Sequence, residues 1–307
     1  MDHATPQMPA YQARDFSQAV ETSQEYTPKV HTYDTAVKDL LNNLRNIRRD
    51  GEMNSLLLRW FERKADVLKD ALFFFEVPEN PRVLRRYFNW FSKLFFGGNL
   101  TLGNCKLRII MAQGEDKAEW EQEHEAKGVL GYCRLVTTRR GRRRAHIIIY
   151  QDFELKDDPV AQLRNYLGTL AHEMLHAYLG MLPCECRECL TEPSISGWGY
   201  SGHGLPWMRA SGALQRFCRE TLKLAISLGR TESVAEELFE SNKSTKDIPL
   251  AELDLNDGKL QIYLQRLSAG ELEIPRDSEF VDYGEDFVAG CDDDEVGEQT
   301  ECSDGEI

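Results

Sequence analysis

The pentapeptide His172-Glu173-Met174-Leu175-His176 sets two imidazoles four residues apart with a carboxylate between them. On a helix, the 100° step per residue stacks His172 and His176 on one face a single turn apart. Both can then bind one Zn2+, and Glu173 beside them can serve as a base toward water. A catalytic zinc site takes a third protein ligand and leaves one position open. The candidates downstream are His203 within Gly202-His203-Gly204, the thiols Cys184, Cys186 and Cys189, and the carboxylates Glu185, Glu188 and Glu192. His203 is preferred, because flanking glycines let backbone approach a metal and a helical pattern follows at once. The longer motif, with glycine and a third histidine at fixed steps after the pentapeptide, is excluded: Leu179 and Leu182 occupy those positions.

These residues need a scaffold. Asp157-Asp158-Pro159 reads as a helix start, an acidic cap with proline in the first turn, and Val160, Leu163, Leu167, Leu170 and Met174 continue one buried stripe through the motif. Upstream, Val37, Leu40, Leu41, Leu44 and Ile47 recur at helical steps. A second helix is expected over 55–75, and a third, rich in aromatic residues, runs from Leu84 to the Gly97-Gly98 stop. The period then changes to that of β structure over 105–111, 129–137 and 144–153. Between the last two lies Arg139-Arg140-Gly141-Arg142-Arg143-Arg144, the basic tip of an antiparallel hairpin. Helices are expected at 206–228, 232–242 and 258–268, and residues 1–33 read as a mobile leader.

Of the 307 residues, 51 are Asp or Glu and 37 are Lys or Arg, a formal charge of −14. Residues 271–307 hold 15 of the acids and one base, so residues 1–270 are neutral overall. The acidic character therefore belongs to a segment that reads as disordered. No apolar run approaches the roughly 20 residues that span a bilayer, and the first 25 positions lack a secretory pattern. A reducing compartment, nucleus or cytoplasm, is expected. There Cys184, Cys186 and Cys189, with Cys218 or another group, are candidates for a second zinc site.

The sequence from His172 to Leu179, with Gly202-His203-Gly204 ahead of an aromatic-led helix, resembles the SprT-like metalloprotease domain of Spartan-type proteases. Tyr87-Phe88-Asn89, Phe95-Phe96-Gly97-Gly98-Asn99-Leu100, Gly128-Val129-Leu130-Gly131-Tyr132-Cys133 and Ile147-Ile148-Ile149-Tyr150 agree with it. The connection over 177–202 is longer than in relatives, and their accessory recruitment modules are not visible.

The resemblance implies an α+β, zincin-like fold in which a small antiparallel sheet packs with the HExxH helix, preceded by N-terminal helices. It assigns His172, His176 and His203 as zinc ligands and Glu173 as catalytic base. The organisation expected is a leader over 1–33, a helical region over 34–82, the protease domain over 83–228, a helical extension over 229–270 and an acidic tail over 271–307. The function implied is a zinc metalloendopeptidase acting on protein substrates, including proteins bound or crosslinked to DNA. A catalytically idle zinc-organised binding module and a peptidase unconnected to DNA are the competing readings. DNA contact is expected through Arg139, Arg140, Arg142, Arg143 and Arg144, with acids such as Asp292-Asp293-Asp294-Glu295 competing for them. Tyr178 and Tyr200 are candidate oxyanion donors.

Overall fold

The computed structural model describes residues 32–47, 51–63, 70–71, 82–138, 143–152, 157–182 and 197–272. The chain is α+β: a three-stranded mixed sheet and nine helices among the described residues. Helix α1 (Tyr33–Asn46) begins at Thr32, whose side chain accepts from the Thr35 amide, and buries Ala36, Val37, Leu40 and Leu44. Helix α2 (Gly51–Arg63) overlaps the expected 55–75 helix over 55–63 and begins four residues earlier; positions 64–69 and 72–81 fall outside the described residues. Helix α3 (Arg82–Phe96) buries Phe88, Phe91, Phe95 and Phe96. It stops as the glycine pair requires, with Gly97 and Gly98 at φ +60° and +79° and the Gly98 amide bonded to Ser92 O.

Strand β1 (Cys105–Ile110) is followed by a crossover containing the short helix α4 (Lys117–Trp120), then β2 (Gly131–Thr137) and β3 (Arg143–Tyr150). The strand order is β1-β3-β2. The hairpin is antiparallel as expected, with Gly131 opposite Ile149 and Thr137 opposite Arg143. The antiparallel expectation fails for β1, which pairs parallel to β3 from Cys105–Ala145 to Ile110–Tyr150. The crossover carries the chain one strand position past its neighbour. The hairpin then folds β3 back into the gap, pointing the same way as β1.

One sheet face packs on helix α5 (Pro159–Met181), capped by Asp158, which accepts from the Val160 and Ala161 amides. Ala145, Ile147 and Ile149 of β3 join Leu163, Leu167, Leu170 and Met174 of α5 in the main core. Alternation sends Ile148 and Tyr150 to the opposite face, where Ile110, Val129, Trp120 and Tyr132 form a second cluster. α5 is buried on nearly every side along its C-terminal half, the pattern of a central helix. α1 and α3 cover it from another direction, and the Tyr178 hydroxyl donates to Ala36 O at 3.2 Å.

Helix α6 (Leu205–Glu220) ends eight residues before the expected boundary at 228. Leu222, Leu224, Ile226 and Leu228 are buried while Lys223, Ala225 and Ser227 are exposed, a period of two that no helix satisfies. This extended run crosses α5. Three short or medium helices complete the fold: α7 (Arg230–Glu240), α8 (Leu250–Leu253) and α9 (Asp257–Ser268). Leu253, Leu260 and Leu267 join the same core as Ala36 at the other end of the described chain. No helix among the described residues is long and apolar enough to cross a membrane.

Candidate metal centre

α5 delivers His172, Glu173 and His176 from consecutive turns. Their environment depends on a contact distant in sequence. At Gly168 a side chain would run into the Ser227 carbonyl, so glycine lets the 221–229 run lie directly on the helix. That approach brings Leu228 O within 2.8 Å of His172 Nδ1. A carbonyl only accepts, so Nδ1 holds the ring proton and Nε2 presents a lone pair.

His203 comes from the turn at 197–204, which sits on the N-terminus of α6. Gly199 and Gly202 adopt φ +100° and +83°, values open to glycine at little cost. A Cβ at Gly199 would sit 2.5 Å from Glu237 Oε2, and one at Gly202 would sit 3.4 Å from His176 Cε1. The turn therefore wraps the fully buried Glu237 carboxylate of α7. Glu237 accepts from the Tyr200 amide, the Ser201 amide and the Ser201 hydroxyl, each at 2.9 Å. Because the Ser201 proton goes to Glu237, Ser201 Oγ accepts from His203 Nδ1 at 3.0 Å. The Nε2 of His203 is thereby also left as a lone pair.

The Nε2 atoms of His172, His176 and His203 form a triangle with edges of 3.0, 3.1 and 3.1 Å. Trp207, at the start of α6, packs on all three rings with centroid separations of 4.9, 5.9 and 4.6 Å. The lone pairs fixed on His172 and His203 face each other at 3.1 Å and repel unless a proton or a cation lies between them. His176 and His203, buried, and His172, partly buried, are a group able to hold a metal ion.

Burial lowers the pKa of His172 to about 4 against the pull of its Leu228 hydrogen bond. His176 and His203 are also held well below 6.5, by burial first and by neighbouring imidazoles second. The unfolded chain titrates these rings near 6.5, so between that pH and about 4 it binds more protons than the folded one. Metal-free protein should therefore hold its full stability above about pH 6.5 and lose it on acidification, His172 alone accounting for about 3 kcal/mol by pH 4. Denaturant midpoints measured across that range check this; a flat profile from pH 7 to 4.5 would contradict it.

Glu173 is buried under the start of β2. A Cβ on Gly131 would lie 2.7 Å from Thr169 Cγ2, 2.8 Å from Ile148 O and 3.5 Å from Glu173 Cγ, so the strand rests directly on the carboxylate-bearing turn. Burial, with the Glu173 charge as the next cause, pushes the thiol of Cys133 up. β2 is an edge strand of the three-stranded sheet.

The three histidines thus meet at one place, and Glu173 follows His172 on the same helix. The alternative ligands Cys184, Cys186, Cys189, Glu185, Glu188 and Glu192 lie outside the described residues. Cys218 is fully buried in the main core, where burial pushes its thiol far up. Tyr178 spends its hydroxyl on Ala36 O, away from the histidines, whereas Tyr200 is exposed on the ligand-bearing turn. Sequence reasoning did not find Leu228 O, Ser201, Glu237 or the packing role of Trp207. The period-two run at 222–228 was a readable signal for the first. Glu237, one of several acids on an amphipathic helix, carried none.

Among the tip arginines, Arg143 Nη1 donates to Gly180 O at 2.7 Å near the end of α5, and Arg144 is exposed. Arg139, Arg140 and Arg142 lie outside the described residues, as do the leader to residue 31 and the tail from 273. The register adds bases that spacing did not group. His146 stands between Lys106 of β1 and Arg134 of β2, beside Arg144, and after burial their charges lower its pKa.

Three imidazoles converge in an α+β chain, with a carboxylate on the residue after the first of them, and as a group they could hold a metal ion. The chain matches no family model, no curated protein and no solved structure.

Proposed function

We propose that the protein is a zinc-dependent endopeptidase of the SprT-like kind. The observation that carries this is the convergence of three imidazole nitrogens on one point, with Glu173, buried, on the residue that follows His172. The corners of that triangle lie about 1.8 Å from its centre, so one ion at the Zn–N bond length of ~2.0–2.1 Å can touch all three. His172, His176 and His203 would hold the ion. Zinc bound there supplies Lewis acidity, polarising a peptide carbonyl and rendering water acidic near neutral pH.

The chain's own groups account for the rest. Glu173 accepts the proton of the attacking water at its carboxylate and returns it to the leaving amine nitrogen. Leu228 O and Ser201 hold two rings in the tautomer that keeps Nε2 bare. β2 offers an edge beside Glu173 along which an extended substrate can pair by backbone hydrogen bonds. An intact base next to the site favours an enzyme over an idle binding module.

DNA-associated proteins are the proposed substrates. The bases that support this are Lys106, Arg134, Arg144 and His146 on the outer sheet face, continuous in sequence with the arginines at 139–142. Nuclear or cytoplasmic location belongs to the same proposal. Incubating the full chain with a DNA-binding protein, with and without single-stranded DNA, separates the readings. Cleavage stimulated by DNA is expected. Cleavage indifferent to DNA would leave a peptidase with another substrate, and binding without cleavage would overturn the enzymatic reading.

A further inference from the structure

We propose that Glu237 is a positioning residue of the metal centre, acting on His203 through Ser201; this rests on the metal-binding reading of the three histidines but not on hydrolysis. The relay runs Glu237 Oε2, Ser201 Oγ, His203 Nδ1, with steps of 2.9 and 3.0 Å. Each proton has one place to go. The carboxylate can only accept, so the serine donates to it, and the imidazole donates to the serine. The chain of donors fixes the His203 tautomer and aims its lone pair at the other two rings.

Two further features show that the carboxylate is built into the turn and not merely near it. It is fully buried, and among the described residues no lysine or arginine forms an ion pair with it. An isolated buried carboxylate is costly unless its oxygens are satisfied and a countercharge is near. The amides of Tyr200 and Ser201 supply hydrogen bonds, and a metal cation bound by the three histidines would supply the charge. The backbone is shaped for it as well, since any side chain at Gly199 would strike the carboxylate oxygen. His203 lies 34 residues before Glu237, so the third ligand depends on a helix beyond the two metal motifs.

Carboxylates that orient a ligating histidine typically change metal affinity 10- to 100-fold when removed. The test measures Zn2+ affinity of the full chain by chelator competition, and the visible spectrum of the Co2+-loaded protein, for wild type, Glu237→Gln, Ser201→Ala and Ser201→Thr. Glu237→Gln and Ser201→Ala should each weaken Zn2+ binding by about 10- to 100-fold and alter the Co2+ spectrum. Ser201→Thr, which keeps the hydroxyl, should restore both. Thermal unfolding of the metal-free proteins separates positioning from folding: Ser201→Ala leaves both amide bonds to Glu237 intact and should unfold near the wild-type temperature. Wild-type Zn2+ affinity in Ser201→Ala would overturn the proposal, even if Glu237→Gln fails to fold. A wild-type chain that binds no Zn2+ would instead sink the metal reading itself. Tight Zn2+ binding without peptidase activity would leave the relay standing and remove only the hydrolytic function.

Discussion

Glu173→Gln should leave Zn2+ bound and lower peptide hydrolysis by about 10²- to 10⁴-fold, the range general acid–base catalysis supplies. The substitution keeps the volume of a side chain that is 5% exposed under Gly131, and it removes none of the three imidazoles. What it removes is basicity: an amide nitrogen cannot take a proton from water at neutral pH. Elemental analysis should give the same zinc content in both proteins, while kcat/KM falls. Cleavage at the wild-type rate would show that Glu173 is not the base. Zinc lost together with activity would make Glu173 part of the metal site's architecture instead.

Zinc should also stabilise the folded chain, and His203→Ala should cancel that effect. An ion that binds the native state alone adds about 2.7 kcal/mol at a hundredfold excess over its dissociation constant. For a domain of this size that corresponds to a Tm rise of roughly 5–10 °C. The gain is expected to be large here because the lone pairs fixed on His172 and His203 face each other at 3.1 Å and the carboxylate relay has no basic partner among the described residues. His203→Ala removes one corner of the triangle and leaves Ser201 without its donor. Calorimetry with and without Zn2+ reads this directly. A Tm that ignores both Zn2+ and the His203 substitution would remove the metal centre from the account.

Local physics made part of this protein legible in the sequence. The i, i+4 spacing of His172 and His176 fixes their shared face wherever the stretch is helical, and the caps at Thr32 and Asp158 and the glycine stop after Phe96 act through neighbouring atoms. The hairpin follows from alternation on both sides of a glycine-containing turn. These features need no information from elsewhere in the chain.

The remaining features needed the fold. The parallel pairing of β1 depends on where a crossover lands, and no residue in β1 states its partner. The HExxH helix prescribes two imidazoles and a carboxylate, but the third imidazole, the hydrogen bond from His172 to Leu228 O and the Glu237–Ser201–His203 relay are meetings of segments 31 to 56 residues apart. Spacing chose His203 from several candidates. Only packing, through glycines at 168, 199 and 202 that let backbones touch, determined what holds it and which nitrogen it presents. The sequence by itself determined the chemistry available on one helix, because helical geometry is local. The tertiary structure decided that the chemistry converges on one point, because burial and hydrogen bonding are settled only once distant segments share a core.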